Sequence, residues 1–422
     1  MILNYNQNKD IETMLLEQTI ETQKTTRENE ESNEPDEEID INLTFPLSID
    51  PEDICGTTLD DAVNDKLHPP NTEWPNDIYR EFMEIIMKYR LSNSCGDRII
   101  KLINNCRNST DENSLPKNTK EGRKFLDINN FPYMKFKTVP ITNFQNIDYN
   151  FYYQPIIYGI KVLLLQPDIN NEFIYKYQSN NISIRNYGEQ FESDWWYIME
   201  KNIPVDNFLL SIILYADSTT CDHIGKTSEH PIYISLGNIP NWKRNKPNSK
   251  VLVGYLPKLK AKDNITKNSE SFRKLQRQVF QRCLRILLSP ILNKNDMYFV
   301  VKNEIHSFTP KISVIIADMA KAATFTSTYL PSTSKRPCHF CLISNEDLNN
   351  MALTHVDLRT SKEIKEVIDI NQARELSIHT DFNFFWKFDD FNIYEAIVPD
   401  RMHMLDLRIT KYLLEFTREY LQ

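Results

Sequence analysis

The sequence contains no apolar run near the ~20 residues that a helix needs to cross a bilayer. Its N-terminus lacks the basic and then apolar pattern of a signal peptide. Cysteine is scarce, and its 7 thinly spread residues do not form the pattern of a disulfide framework. These absences predict a soluble protein that is not secreted, has no membrane partner and occupies a reducing compartment, either the nucleus or the cytoplasm.

Acidic residues are concentrated at the N-terminus. Residues 1–50 hold 3 basic and 13 acidic residues, whereas the whole chain of 422 residues has a net charge of −9. The remainder of the chain is therefore close to neutral. Because this stretch is polar and has no hydrophobic periodicity after Leu16, it cannot offset the entropy cost of ordering. We predict a disordered acidic tail over residues 1–50.

Basic residues are concentrated between Asn241 and Arg285, where 13 Lys and Arg side chains face only 2 acidic ones. Such a segment attracts a DNA backbone through counterion release, without any reading of sequence. A solvated face with a mobile loop is the alternative, and charge by itself does not decide between them. The candidate DNA-binding residues are Lys243, Arg244, Lys246, Lys250, Arg273, Lys274 and Arg277.

A linker and a small helical region are predicted over residues 51–150. The stretch 46–75 is rich in Pro, Asp and Thr, which is typical of an irregular segment. Apolar residues at helical spacing predict amphipathic helices over 76–89 and 97–104, and 115–126 fits a third. Nothing in this region is predicted to be catalytic.

The chain becomes apolar and β-like from residue 151 onward. Ile156–Leu165 is an apolar stretch bounded by prolines and is predicted to be a buried strand. Three short runs rich in β-branched and aromatic residues then predict an antiparallel meander, namely Phe208–Asp217, Pro231–Ile239 and Lys250–Pro257.

The periodicity changes to that of a helix over residues 271–288 and then returns to that of strands at Met297–Asn303 and Lys311–Asp318. The predicted fold class is therefore α/β, with a mixed sheet of order β-β-β-α-β over residues 151–337. A helix that crosses over before the last strand allows that strand to lie parallel to the first.

Two of the predicted strands end in an aspartate, Asp217 in ILYAD and Asp318 in VIIAD. Parallel pairing would place these carboxylates side by side, and divalent metals for phosphoryl transfer take oxygen ligands placed in this way. The alternative is that each aspartate caps the turn after its strand.

Three segments of the chain resemble fungal Plavaka-type transposases of the Kyakuja–Dileera–Zisupton group: residues 217–257, 316–341 and 384–414. The most specific part is the PIYISLGNIP…KPNSKVLVGYLP block. The resemblance implies an RNase H-like DDE core, cleavage and transfer of DNA strands with Mg²⁺ or Mn²⁺, and a nuclear location. It also implies that Asp217 and Asp318 are the first two catalytic acids.

A DDE site needs a third acid, and this sequence does not identify it. Glu395 and Asp400 are candidates only through their proximity to the final helix. The resemblance implies instead that residues 338–422 begin an insertion ahead of the third acid, and that the chain is a truncated or degenerate copy. A non-catalytic DNA-binding or interaction protein derived from a transposon is the alternative. The sequence offers no site for a small-molecule substrate and leaves self-association open.

Cys338 and Cys341 have the C-x₂-C spacing that lets two thiolates bind one tetrahedral zinc ion. No second C-x₂-C follows, so the other ligands must come from histidines or carboxylates. His403 is the preferred third ligand because Asp400-Arg-Met-His403 resembles the D-x-x-H element of the same family. Two buried free thiols are the alternative, and the fourth ligand is not assigned.

Overall fold

A computed structural model describes residues 49–69, 74–106, 115–128, 133–179, 188–221, 228–330 and 334–421. All but the last two residues of the predicted acidic tail lie outside these ranges. Within them, residues 261–273 form one compact unit and the remainder forms another. No helix in the described ranges is long and apolar enough to span a bilayer.

The described part of the chain contains ten strands. They are β1 (Lys137–Phe144), β2 (Ile147–Tyr153), β3 (Phe208–Ala216), β4 (Thr219–Thr220), β5 (Ser228–Glu229), β6 (Pro231–Leu236), β7 (Val251–Tyr255), β8 (Met297–Val301), β9 (Glu304–Ala317) and β10 (Ile397–Pro399).

Fifteen α-helices lie in the same ranges, together with a π-helical segment, Met402–Ile409. They are α1 (Pro51–Ile54), α2 (Leu59–Leu67), α3 (Asp77–Lys88), α4 (Asn93–Cys106), α5 (Thr119–Ile128), α6 (Ile156–Leu164), α7 (Pro167–Asn171), α8 (Asp194–Asn202), α9 (Asn241–Arg244), α10 (Asn264–Asn268), α11 (Glu270–Leu288), α12 (Met319–Thr326), α13 (Ser361–Asp369), α14 (Ile393–Ala396) and α15 (Thr410–Leu421).

One mixed sheet organises the larger unit, with the strand order β1-β2-β7-β6-β3-β9-β10 and with β8 also paired to β9. The strands β3, β6 and β7 pair antiparallel, as the predicted meander requires. The pairings of β3 with β9 and of β9 with β10 are parallel, and all others in this sheet are antiparallel. The fold is therefore α/β with a mixed, mostly antiparallel sheet, and the predicted crossover between the first and last core strands is confirmed.

The prediction of a strand over 156–165 is wrong, because this segment forms helix α6. Its side chains are buried around almost the whole helix, so the sequence shows no polar face that would reveal a helical period. A short run that is apolar throughout is compatible with either structure. Gly159 lets the helix approach β7 closely, since a Cβ there would lie 2.9 Å from a methyl carbon of Val253.

The prediction of an irregular linker over 46–75 is also wrong in part, because α1 and α2 lie within it. Helix α2 begins with a capping box in which Thr58 and Asp61 bond each other's backbone N–H groups. Ala62 is the one buried residue of this helix, so the helix places little apolar surface against the core. The cap therefore defines a helix that hydrophobic periodicity does not.

The predicted helices at 76–89, 97–104, 115–126 and 271–288 are confirmed as α3, α4, α5 and α11, with shifted ends. Helices α3 and α4 pack through a small apolar cluster that includes Phe82, Ile86 and Ile100. The hairpin of β1 and β2 has no counterpart in the sequence predictions. It extends the sheet beyond β7.

A fully buried arginine, Arg359, organises the segment that follows α12. Its guanidinium donates to the carbonyl oxygens of Arg336 (2.9 Å), Cys338 (2.9 Å) and Leu376 (2.8 Å). Among the described residues, no carboxylate lies within 4.0 Å of it, and burial lowers its pKa. One buried charge therefore connects three stretches of irregular backbone whose carbonyls would otherwise lack donors.

Replacing Arg359 by Met should lower the free energy of unfolding by about 3 kcal/mol, because three buried carbonyls lose their donor. Arg374→Met is the matched control, since Arg374 is exposed in the same segment and should change stability by no more than about 0.5 kcal/mol. Denaturant unfolding followed by tryptophan fluorescence measures both. Equal stability of the two variants would contradict the assigned role of Arg359.

Candidate active site

The candidate site lies at one edge of the sheet, where three parallel strands end. Each of β3, β9 and β10 is followed immediately by an aspartate: Asp217, Asp318 and Asp400. The register places Tyr215 beside Ile316 and Pro399 beside Ala317, so the three strand ends are level with one another. Parallel pairing therefore brings all three aspartates to the same edge.

Asp318 begins helix α12. One of its carboxylate oxygens accepts the backbone N–H of Lys321 at 2.6 Å, as an N-cap residue does. The alternative prediction, that a strand-end aspartate caps the turn after its strand, therefore holds for Asp318. Its negative charge still contributes to raising the pKa of His403, as the last of several causes.

Asp400 and His403 form the other half of the site. The backbone N–H of Asp400 donates to the Ala317 carbonyl at 2.9 Å, which fixes it at the end of β10. His403 lies one helical turn later, where i and i+3 side chains share a face, and its Nδ1 is 2.6 Å from the Asp400 carboxylate. Its Nε2 is 3.9 Å from Oδ2 of Asp217. One imidazole therefore lies between two carboxylates that are far apart in sequence.

Ligand atoms of Asp217, Asp400 and His403 all lie within 4.8 Å of one another, and theirs is the sole group of three or more such residues within the described ranges. The side chains are 12%, 15% and 34% exposed, so the cluster is accessible from solvent. Two carboxylates and one imidazole suit Mn²⁺ and related divalent ions, and Mg²⁺ can also bind through the carboxylate oxygens. The residues present therefore fit a divalent metal.

The negative charge of the aspartates contributes to raising the pKa values of the groups beside them. The pKa of His403 is raised, first by its hydrogen bond to Asp400 and then by the charges of the three aspartates. Burial, with the nearby charge of Asp217 as a second cause, raises the pKa of Tyr215 to about 12. The Tyr215 hydroxyl can therefore act as a hydrogen-bond donor to Asp217, whose Oδ2 lies 3.5 Å away.

The two predicted zinc-binding cysteines lie elsewhere. Cys338 and Cys341 are both half-buried, and burial and a hydrogen bond with Cys338 raise the pKa of the Cys341 thiol. No third histidine, cysteine or carboxylate of the described residues completes a three-ligand cluster with both thiols. His403, the predicted third ligand, lies instead between Asp217 and Asp400. Zinc at the cysteines stays a prediction.

Three of the predicted DNA-binding residues form ion pairs within the chain. The pairs are Lys243 with Asp168 (3.0 Å), Arg244 with Glu189 (3.7 Å) and Arg277 with Asp381 (2.6 Å). Lys243 is only 5% exposed. Three of the 13 basic residues counted in the basic segment are therefore neutralised by acidic residues outside it.

The other four predicted DNA-binding residues, Lys246, Lys250, Arg273 and Lys274, are exposed. The Lys246 ammonium lies 5.3 Å from the centre of the Trp242 ring. The loop that carries Lys246 leaves β6 after Leu236, which pairs with Ile212, whereas the start of β6 pairs with Ala216. This loop therefore lies at the opposite end of the sheet from the aspartates. DNA binding by these residues stays a prediction.

Sequence reasoning identified Asp217 and Asp318 but did not place Asp400 and His403 in the same site. The sequence did contain a pattern that pointed to Asp400. This aspartate follows the short apolar run IVP, just as Asp217 and Asp318 each follow an apolar run. That run is only three residues long, too short for a strand to be predicted from periodicity. Glu395, the other candidate for the third acid, is exposed on α14 and outside the cluster.

Comparison with known families gives one match. The family model described as Plavaka transposase matches residues 127–416, which is more than half of the chain. The matched range contains all three aspartates, His403 and both cysteines. No curated protein matches the chain.

The cluster should bind Mn²⁺, and Asp217→Asn or Asp400→Asn should each weaken binding at least about tenfold, which corresponds to about 1.4 kcal/mol for a lost charged ligand. Glu395→Gln removes an exposed carboxylate outside the cluster and is the matched control. Calorimetric titration of the folded variants with Mn²⁺ measures the effect. Unchanged affinity in both aspartate variants would exclude a metal site at this position.

If the cysteines hold zinc, the metal should be lost in Cys338→Ser and retained in His403→Ala, because His403 lies with the aspartates rather than with the thiols. Elemental analysis of the purified variants measures zinc per chain. Loss of zinc in His403→Ala would instead assign this histidine to the cysteine site, and zinc-free wild-type protein would remove the site altogether.

Proposed function

The chain belongs to the Plavaka transposase family, and from this membership we propose that it is a DDE-type DNA transposase with its catalytic centre at the edge of Asp217, Asp318 and Asp400. The observation that carries the proposal is that three strands of common direction each end in an aspartate. Phosphoryl transfer on DNA needs several carboxylates close enough to share one or two metal ions. Asp217 and Asp400 supply such a pair beside His403, and Asp318 follows the adjacent strand.

We infer further that the sheet is of the RNase H-like type. Support comes from the strand order β7-β6-β3-β9-β10. The strands β3, β6 and β7 form an antiparallel meander, and β9 and β10 both run parallel to β3. Helix α11 lies in the connection between the meander and β8–β9, as a crossover requires. In such a sheet the functional groups belong at the edge where the parallel strands end, which is where the aspartates lie.

The metal ligands in this proposal are Asp217, Asp400 and His403. A divalent ion held by these three side chains would supply Lewis-acid chemistry for phosphoryl transfer. Tyr215 orients the Asp217 carboxylate through its hydroxyl, and His403 orients that of Asp400 through Nδ1. Asp318 fixes the first turn of α12 and adds negative charge beside the ion.

The partner that follows from this reaction is DNA. We infer a fungal source and the Kyakuja–Dileera–Zisupton group from the motifs within residues 217–257 and 316–341, and a nuclear location because the substrate is there. Mg²⁺ is the proposed ion of the aspartate centre, with Mn²⁺ as its substitute.

Asp217→Asn and Asp400→Asn should each lower metal-dependent DNA nicking and strand transfer at least about 100-fold, because each removes a charged ligand of the proposed ion. Glu395→Gln should retain wild-type rates, since this exposed carboxylate lies outside the cluster. The assay uses supercoiled DNA that carries the terminal sequences of the element, with Mg²⁺ or Mn²⁺ and with chelator as a blank.

A non-catalytic DNA-binding protein derived from a transposon is the rival function. It predicts that the wild-type chain binds this DNA and yields no metal-dependent product. That result would remove the catalytic half of the proposal, whereas products that vanish in both aspartate variants and persist in Glu395→Gln would support it.

A further inference from the structure

The sheet topology brings basic residues to the aspartate edge that the basic segment of the sequence does not single out. The start of β6 lies at this edge, because Ile232 pairs with Ala216. The end of β7 lies there too, because Tyr255 pairs with Pro231. His230 immediately precedes β6, and its carbonyl accepts the backbone N–H of Leu256 at 2.9 Å. The chain that follows β7 is therefore held beside His230.

Lys258 follows β7 at this edge and is exposed. Its ammonium donates to the Ser228 hydroxyl at 2.7 Å. Ser228 lies in β5, which pairs with β4, and β4 begins two residues after Asp217. A positive charge is thus held on the hairpin that leads directly out of the candidate active site.

Lys321 brings a second positive charge to the same edge from the first turn of α12. Its ammonium lies 5.7 Å from the centre of the Phe280 ring, and no carboxylate of the described residues is within 4.0 Å of it. Burial lowers the pKa of Lys321, and the charges that oppose this effect are those of Asp318 and Asp217. This lysine therefore lies three residues after Asp318, at the start of α12, and is not neutralised by a direct ion pair among the described residues.

His230 lies at the same edge of the sheet as these two lysines, immediately before β6. Burial lowers its pKa, and the next causes are the positive charges of Lys321 and Lys258, followed by the opposing charge of Asp217. Its Nδ1 is shielded from solvent and has no hydrogen-bond partner among the described residues. Because this nitrogen is shielded from solvent, the phosphate contacts at this edge fall to the ammonium groups of Lys258 and Lys321.

We propose that Lys258 and Lys321 line a phosphate track that holds the backbone of a DNA strand and directs it to Asp217. The inference rests on the proposed function and adds the surface through which DNA reaches the site. Because lysines contact phosphates as point charges, the track fixes the position of the strand without reading its sequence. The exposed lysines of the loop after β6 cannot serve this purpose, since they lie at the other end of the sheet.

The test measures binding of a 30-base-pair duplex of arbitrary sequence by fluorescence anisotropy at several salt concentrations, with chelator present so that no cleavage occurs. Each phosphate that a lysine neutralises adds about −0.9 to the slope of log affinity against log salt. The double variant Lys258→Gln/Lys321→Gln should therefore reduce the magnitude of the slope by about 2. Lys258→Arg/Lys321→Arg keeps both charges and should restore most of it.

The matched control is Lys294→Gln/Lys302→Gln, which removes the same charge from two exposed lysines. Both lie where β3 and β9 begin, since Asn207 donates to the Asn295 carbonyl at 2.7 Å and residue 302 lies in the turn before β9. This variant should bind DNA with the wild-type slope. Thermal unfolding followed by circular dichroism identifies any variant that fails to fold, and the arginine pair then carries the comparison.

A slope reduced in the Gln track variant, restored by arginine and unchanged in the control supports the track, whether or not the chain cleaves DNA. Equal slopes in track and control variants, or a wild-type slope near zero, overturn it. Absence of metal-dependent products in a chain that binds DNA through the track would contradict the catalytic proposal and leave this one intact.

Discussion

The parallel pairing of β3 with β9 determines which side chains meet at the candidate active site. Strands that run in the same direction end at the same edge, so the residues that follow them are neighbours however far apart they are in sequence. The pairing of β10 with β9 extends the same relation to a third strand. Asp217, Asp318 and Asp400 share an edge for this reason, and His403 reaches it because it lies one helical turn after Asp400.

The second constraint is the neutralisation of buried charge. Lys161, Lys243 and Arg277 are each paired with a carboxylate, because a buried cation without a partner is costly. Arg359 has no carboxylate within 4.0 Å among the described residues and is stabilised by three backbone carbonyls instead. Such pairing neutralises three of the 13 basic residues of the basic segment, Lys243, Arg244 and Arg277.

The segment after α12 is connected to the proposed catalytic edge through His339. The Nε2–H of this fully buried imidazole donates to the Met319 carbonyl (3.0 Å), and its Nδ1 accepts from the Thr328 hydroxyl (2.6 Å), so it joins the cysteine-containing loop to the first residue of α12. Arg359 holds the other side of the same loop. These hydrogen bonds connect the loop to α12 and to Arg359 without involving either thiol.

Local pattern in the sequence was sufficient for the meander, for helix α11 and for the strand-end positions of Asp217 and Asp318, because period and turn residues are properties of neighbouring residues. It failed for α6, whose uniformly apolar surface hides its period, and for β10, which is too short to have one. The tertiary structure decided two features. It placed Asp400 and His403 beside Asp217, and it formed the ion pairs that neutralise Lys243, Arg244 and Arg277. Both depend on which distant strands and loops become neighbours, and a one-dimensional pattern does not contain that information.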